Sequence, residues 1–358
     1  MPKTDPRSTE RPRLWEHIKL LLALSDNKRS WGFLVVASMA VGLPVLVGAW
    51  LNHFSSSVIA SMGGLVILYM QQTHIARRMM TLVVCSCGFA VSFSLGILTS
   101  FNPYLSAGTL ALTVFLVTLT CRFYSLPPPG SFFFILVACM ARTLPFDLTL
   151  AAERTGILLF GCMGACFLAL VYSLAQVLSK SARPTQQSAA GDHRIAAITL
   201  EAAVISLFVG GGYLMALMMP LDNPYWVPIS TAAILQGATF RAVWHRNVHR
   251  IGGTIIGMGL AWVIFSLSPN VWVLAGLIML LSFLIEALVT RNYGLAVIFI
   301  TPLTVIFADS TEASINTEQL ILARLIDIML GSSIGYFGGW VIHHPRIFYR
   351  LEQWLINR

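Results

Sequence analysis

Apolar residues run along this chain in long blocks, broken by short polar stretches. A membrane span needs roughly 20 apolar residues, because about 30 Å of hydrocarbon is crossed at about 1.5 Å per residue. On that scale the pattern predicts twelve segments. The first half supplies 31–52, 55–70, 79–99, 104–121, 131–145 and 153–178. The second supplies 195–219, 225–239, 250–268, 271–289, 293–309 and 319–342. The expected fold is an all-α polytopic membrane protein with about 12 transmembrane helices, arranged as two parallel six-helix repeats. A cytoplasmic amphipathic segment is expected at 1–29, the first membrane repeat at 30–179 and a cytoplasmic linker at 180–192. The second repeat follows at 193–345 and a cytoplasmic tail at 346–358. Within 1–29, Leu14, Trp15, Ile18, Leu21, Leu22 and Leu24 recur at helical spacing among Arg11, Arg13, Lys19, Lys28 and Arg29. That spacing predicts a helix lying on the inner membrane face, and so long a polar lead is not a cleavable signal.

The repeat rests on matched positions. At an offset of 169, Val58 pairs with Val227, Ser61 with Ser230, Arg77 with Arg246 and Gly88 with Gly257. At 170, Arg154 pairs with Arg324 and Gly161 with Gly331. The second and fifth segments of each half are the short ones. Three of the four are interrupted, as in SSSVIASMGG, PYWVPISTAAILQG and NYGLAVIFITPLT. Interrupted segments at matching places of two repeats point to a transport site, or else to tilted helices that bind nothing.

Composition narrows the class. Hydrophobic residues make up 56% and charged residues 11%, against a soluble norm near 25% charged. Mean hydropathy is +0.76. Soluble enzymes, disordered chains and nucleic-acid binders are excluded on these grounds. The net charge of +8 is instead a matter of sidedness. With the N-terminus in the cytoplasm, every one of the 23 Lys and Arg residues falls inside except Arg142, Arg154 and Arg324. Asp147, Glu153, Asp222, Asp309, Glu312 and Glu318 fall outside. This is the positive-inside pattern, with both termini cytoplasmic. Cys85, Cys87, Cys121, Cys139, Cys162 and Cys166 form no C-x-x-C pair and read as small buried hydrophobes. The phosphate loop, the nucleophile elbow and the H-E-x-x-H helix do not occur, so neither an enzyme nor a cofactor is expected.

The stretch 239–257, TFRAVWHRNVHRIGGTIIG, concentrates chemistry. Arg246 and Arg250, four apart, share a helix face, with Arg241, His245 and His249 nearby. Arginine's planar fork suits carboxylates, and a helix beginning here would aim free N–H groups at an anion. Plain topology explains the same arginines, since an inner loop is where they belong. The two histidines could ligate a metal, but no third ligand is evident, so no metal site is expected. Ser230 and Gln236, Arg291 and Tyr293, and Arg77 and Arg78 at the equivalent place of the first half join the substrate-binding candidates. Gly253 and Gly257, like Gly331 and Gly335, have the spacing of close helix packing. Charges inside spans are costly and therefore functional candidates. Asp327, Arg324, Glu201 and Glu286 are the proton-coupling set. Their bland alternatives are an Arg324–Asp327 ion pair, and for Glu201 and Glu286 snorkelling or bridges to Arg194 or Arg291.

The blocks PYWVPISTAAILQGATFRAVWHRNVHRIGGTIIG and RNYGLAVIFITP resemble the fusaric acid resistance-like (FUSC) family of bacterial inner-membrane proteins, which includes aromatic carboxylic acid exporters. They are similar, more distantly, to plant aluminium-activated malate transporters. The resemblance is strong in 224–304 and weaker in 30–180. It implies that Arg246 and Arg250 lie along an anion path, followed by Gly253 and Thr254. It also implies export of aromatic or amphipathic carboxylates and xenobiotics across the inner membrane, driven by the proton gradient. The alternatives are a passive anion channel and a non-transporting membrane assembly factor. A major-facilitator transporter would carry a Gly-Asp-Arg loop that QQTHIARRMM lacks. Expected partners are the organic anion, the bilayer and a second copy or a periplasmic adaptor protein, with no nucleic acid. Many family members carry a large soluble domain, and only a short linker stands in its place here.

Overall fold

The computed structural model describes residues 23–27, 29–179, 195–309, 317–346, 350 and 353. The expected surface helix in 1–29, the linker 180–192 and the tail 346–358 lie wholly or mostly outside the described residues. Among the described residues the chain forms twelve α-helices and no strand. In the first half these are α1 (Trp31–Trp50), α2 (Phe54–Gly64, continued by a 3-10 turn over Leu65–Tyr69), α3 (Ile75–Leu98), α4 (Pro103–Phe123), α5 (Phe132–Ala141) and α6 (Leu148–Leu178). The second half has α7 (Ile195–Met218), α8 (Trp226–Leu235), α9 (Phe240–Ser266), α10 (Val271–Leu288), α11 (Tyr293–Asp309) and α12 (Thr317–His343). Eight of them, α1, α3, α4, α6, α7, α9, α10 and α12, are long and apolar enough to cross a membrane. The other four, α2, α5, α8 and α11, are shorter. They are the second and fifth helix of each half. Spanning length therefore holds for eight helices, not for all of the expected twelve.

Polar caps, not the edges of the apolar blocks, set where several helices begin. Asn102 Oδ1 accepts the N–H groups of Tyr104 and Leu105, both at 3.0 Å, with Pro103 in the first turn. Asp147 caps α6, Thr239 caps α9 and Asn270 caps α10 in the same way. As a result α6 begins five residues before the expected 153. Similarly, α9 begins at Phe240 rather than 250. The basic block therefore forms the first turns of α9 itself. The free N–H groups of that helix lie more than two turns from Arg250, which removes the expected helix-terminus contribution at that residue.

The outer surface is apolar between aromatic ends. Trp31 and Trp50 bound α1, and Tyr104 and Tyr124 flank α4; all four are exposed. Each pair is separated by about 30 Å of helix, the thickness of the hydrocarbon core. Tryptophan and tyrosine favour the two membrane interfaces. Val91, Leu112, Phe160, Phe167, Leu207 and Ile255 are exposed between them. Apolar exposure on this scale fits lipid, not water.

Inside, α1 packs on α2 and α6, and across the halves on α10. Correspondingly, α7 packs on α8 and α12, and across the halves on α4. Likewise α2 packs on α6 and α8 on α12, while α3 meets α5 and α6, and α9 meets α11 and α12. Glycine makes the tightest of these contacts possible. A Cβ on Gly161 would stand 1.8 Å from the Ala60 carbonyl oxygen, and one on Gly331 2.4 Å from that of Val227. On α9, Gly253 and Gly257 would each meet a carbonyl oxygen of α11 at 2.7 Å, and Gly335 would meet Thr231 O at 3.0 Å. Contacts also gather one set of helix ends. Arg78 donates to Ser173 at 2.7 Å, Arg122 to Glu201 at 2.5 Å and Thr290 to Asn27 O at 2.8 Å. This end, which holds Arg246 as well, is called the basic end below.

Candidate functional site

The short helices leave a chamber of about 460 Å³ between the two halves. Leu65 and Leu68 after α2, Phe132 and Phe133 of α5, and Trp226 and Ile229 of α8 form its walls. Tyr293, Leu303, Thr304 and Phe307 of α11 complete them, with Val41 of α1 and Glu286 of α10. Against this apolar lining, Gln236, Arg246 and Arg250 bring polar groups in at the basic end. Gln236 also ties α8 to the loop before α5, donating to Pro129 O at 2.8 Å.

Three arginines climb one face of α8. Arg246 donates to Ala233 O at 3.0 Å, and its guanidinium carbon lies 4.9 Å from the centre of the Tyr293 ring. Arg250 donates to Ser230 Oγ at 3.3 Å. Arg324 of α12 places its guanidinium carbon 3.7 Å from the centre of the Trp226 ring and donates to the Thr304 hydroxyl. Trp226, Ser230 and Ala233 stand at i, i+4 and i+7, so they share a face and span only about 10 Å of helix.

Among the described residues none of these three cations has a carboxylate. Among the described residues the ion pairs are Arg29–Glu286 and Arg122–Glu201. Arg324 is 2% exposed and Asp327 0%. Yet both Asp327 oxygens lack a donor, and Nε and Nη1 of Arg324 lack an acceptor. The expected Arg324–Asp327 pair is thus not formed. The guanidinium turns instead onto the indole face and Thr304, where the ring quadrupole attracts it. The acids at the basic end are paired across helices among the described residues, which do not include Arg194. Glu201 takes Arg122, and Glu286 takes Arg29, which precedes α1. Of the proton-coupling candidates, Glu286 lines the chamber, Arg324 and Asp327 lie beyond its wall, and Glu201 stands apart between α4 and α7.

The other candidates divide. Arg246, Arg250, Gln236 and Tyr293 come together in the chamber, with Ser230 holding Arg250. Arg241 is exposed, while His245 and His249 pack edge to face at 6.4 Å between ring centres. Neither these three nor Arg291 lines the chamber. Arg77 is exposed. Arg78 lines a different, polar cavity of about 640 Å³ with His74, Tyr172 and Gln176. Asn27, Arg29, Leu68 and Pro128 border both cavities. Trp226, Thr304 and Arg29 were not among the sequence candidates. Only the aromatic in PYWVP offered a signal for any of them.

A sequence model of the fusaric acid resistance protein-like family matches residues 211–338, which include all three arginines. The chain is 23% identical to the uncharacterized membrane protein YvaC of Bacillus subtilis (strain 168), over 96% of this chain and 78% of that protein. The aligned length, 490 positions, exceeds the 358 residues here, so that relative carries insertions this chain lacks. The chain is also 32% identical to the uncharacterized protein YhfK of Escherichia coli (strain K12), over 40% of this chain and 20% of that one. It is 29% identical to an uncharacterized protein of Haemophilus influenzae, over 32% and 15%. It spans only a fifth or less of these last two. No solved structure matches.

Proposed function

We propose, from the premise that this chain belongs to the fusaric acid resistance-like family of membrane proteins, that it is a secondary transporter exporting organic anions across the bacterial inner membrane. The observation that carries this reading is that Arg246 and Arg250, which line an apolar chamber, and Arg324 behind its wall have no carboxylate partner among the described residues. A buried, unpaired cation costs several kcal/mol. A carboxylate entering the chamber would relieve that cost. Phe132, Phe133, Trp226, Tyr293 and Phe307 would hold the apolar or aromatic body of the same molecule. A volume of about 460 Å³ suits a small organic acid.

The matched packing of the halves supports two parallel repeats with the chamber at their interface. The basic end is assigned to the cytoplasm by the positive-inside rule. In a background without the six cysteines, a cysteine at Asn102 or Ser314 should react with an impermeant thiol reagent from outside. One at Gln187 should not, and labelling there in intact cells would break the assignment. Ser314 and Gln187 lie outside the described residues.

Transport itself is tested by counterflow in proteoliposomes with a panel of radiolabelled aromatic and aliphatic carboxylates. Saturable exchange of at least one aromatic acid is expected, together with accumulation against its gradient when a proton gradient is imposed. Flux that only runs down the anion gradient would identify a passive channel. The absence of flux for every acid would favour an assembly role.

A further inference from the structure

Two arginines are buried away from the basic end, and they are built differently. Every side-chain nitrogen of Arg142 has an acceptor. Its Nε donates to Ser106 Oγ at 3.0 Å, its Nη2 to Ser106 O and Thr109 Oγ1 at 3.3 Å, and its Nη1 to Ala138 O. That is a guanidinium clamping helices together. Arg324 keeps the Thr304 hydroxyl and leaves Nε and Nη1 without acceptors. Buried cationic donors without acceptors are rare, and each one needs a reason.

Its surroundings supply one. Trp226 and Thr304 are part of the chamber wall, and both touch Arg324. The guanidinium therefore lies directly behind that wall, closed off by the indole. Arg250 sits one helical turn away along α8, beside Ser230. A carboxylate moving outward from Arg250 would otherwise face bare apolar wall, where a charge is disfavoured. Asp327, with both oxygens unpaired, stands three residues along α12 and can compete for the same guanidinium.

We propose that Arg324 is a second carboxylate station, closed behind Trp226 in this conformation, which takes the anion from Arg250 and yields it when Asp327 becomes its partner. This rests on the reading of the chamber as the anion path. Rotation of the indole off the guanidinium joins the station to the chamber. The exchange of one carboxylate for another on Arg324 then lets the anion leave without stranding the cation.

Benzoate is the probe, and its half-saturating concentration is measured separately at each face of the protein in oriented proteoliposomes. Arg324→Gln should raise this value about 10-fold or more at the face opposite the basic end, the scale of a lost charge-assisted contact. The value at the basic face should stay within about two-fold. Arg246→Gln should do the reverse. Where the Gln variant does not reach the membrane, Arg324→Lys keeps the buried charge and should give a smaller shift confined to the same face. An equal shift at both faces makes Arg324 a structural residue and overturns the proposal. If Arg246→Gln shifts its own face and Arg324→Gln shifts neither, the second station falls and the chamber reading stands. If neither variant shifts either face, the chamber reading falls too.

Discussion

Arg250→Gln is expected to weaken substrate affinity by about 10- to 150-fold, the loss of a charge-assisted contact of about 1.5–3 kcal/mol. Arg246→Gln should fall in the same range. Arg250 is 5% exposed, and its Nε has no acceptor, so its charge is neither solvated nor neutralised by the described residues. A substrate carboxylate would be its first counter-ion. Glutamine can still donate to Ser230 Oγ, so helix α9 should keep its seat on α8. The loss should therefore appear in affinity and not in the amount of inserted protein. Lysine should restore only part of the affinity, because it has charge without the planar fork. At Arg246 the Lys variant should do better, since the contact with the Tyr293 ring tolerates an ammonium. Counterflow affinities measured alongside the quantity of inserted protein decide the matter. If both Gln variants transport with wild-type affinity, the arginines serve only to orient the chain in the membrane.

Helix positions were legible because the bilayer leaves a coarse signature. Blocks of apolar residues and polar breaks located all twelve helices, and the interruptions in PYWVPISTAAILQG and NYGLAVIFITPLT marked α8 and α11 as short. Starts were legible only where an apolar edge and a cap coincide. At α9 they do not, because Thr239 caps a helix whose first turns are basic. Ion-pair partners failed for a related reason. For Glu286 the sequence offers Arg291, five residues away, as one alternative partner, yet it pairs with Arg29, which is 257 positions distant. Sequence proximity favours local partners, whereas packing of α10 on α1 brings the distant one closer. The arginine ladder has the same origin. Arg246 and Arg250 share a helix and could be paired from spacing alone. Arg324 joins them only because Gly331 and Gly335 let α12 press against α8. A guanidinium over an indole of another helix has no periodicity to read.

Asp327→Asn is expected to abolish uphill, proton-driven export while leaving substrate-for-substrate exchange. The variant keeps the side chain's shape and cannot carry a proton. An ionised carboxyl here is fully buried and has no donor among the described residues, a cost of several kcal/mol that must be relieved in each conformation. Arg324 stands three residues before it on the same helix. Where Arg324 is held by Trp226 and Thr304, as in this structure, binding a proton relieves the carboxyl. Where Arg324 swings to Asp327, the ion pair relieves it instead and the proton is free to leave. Proton uptake and release are thereby tied to the same movement that frees Arg324 from, or commits it to, a substrate anion. In exchange an incoming substrate carboxylate takes the place of Asp327 on Arg324, so exchange should survive in Asp327→Asn at near wild-type affinity. Accumulation under an imposed pH gradient should fall to the level without a gradient. If the variant still accumulates substrate when the gradient is imposed, the proton travels elsewhere. Glu286, which lines the chamber, would then be the candidate, with Arg29 in place of Arg324 as its alternating partner.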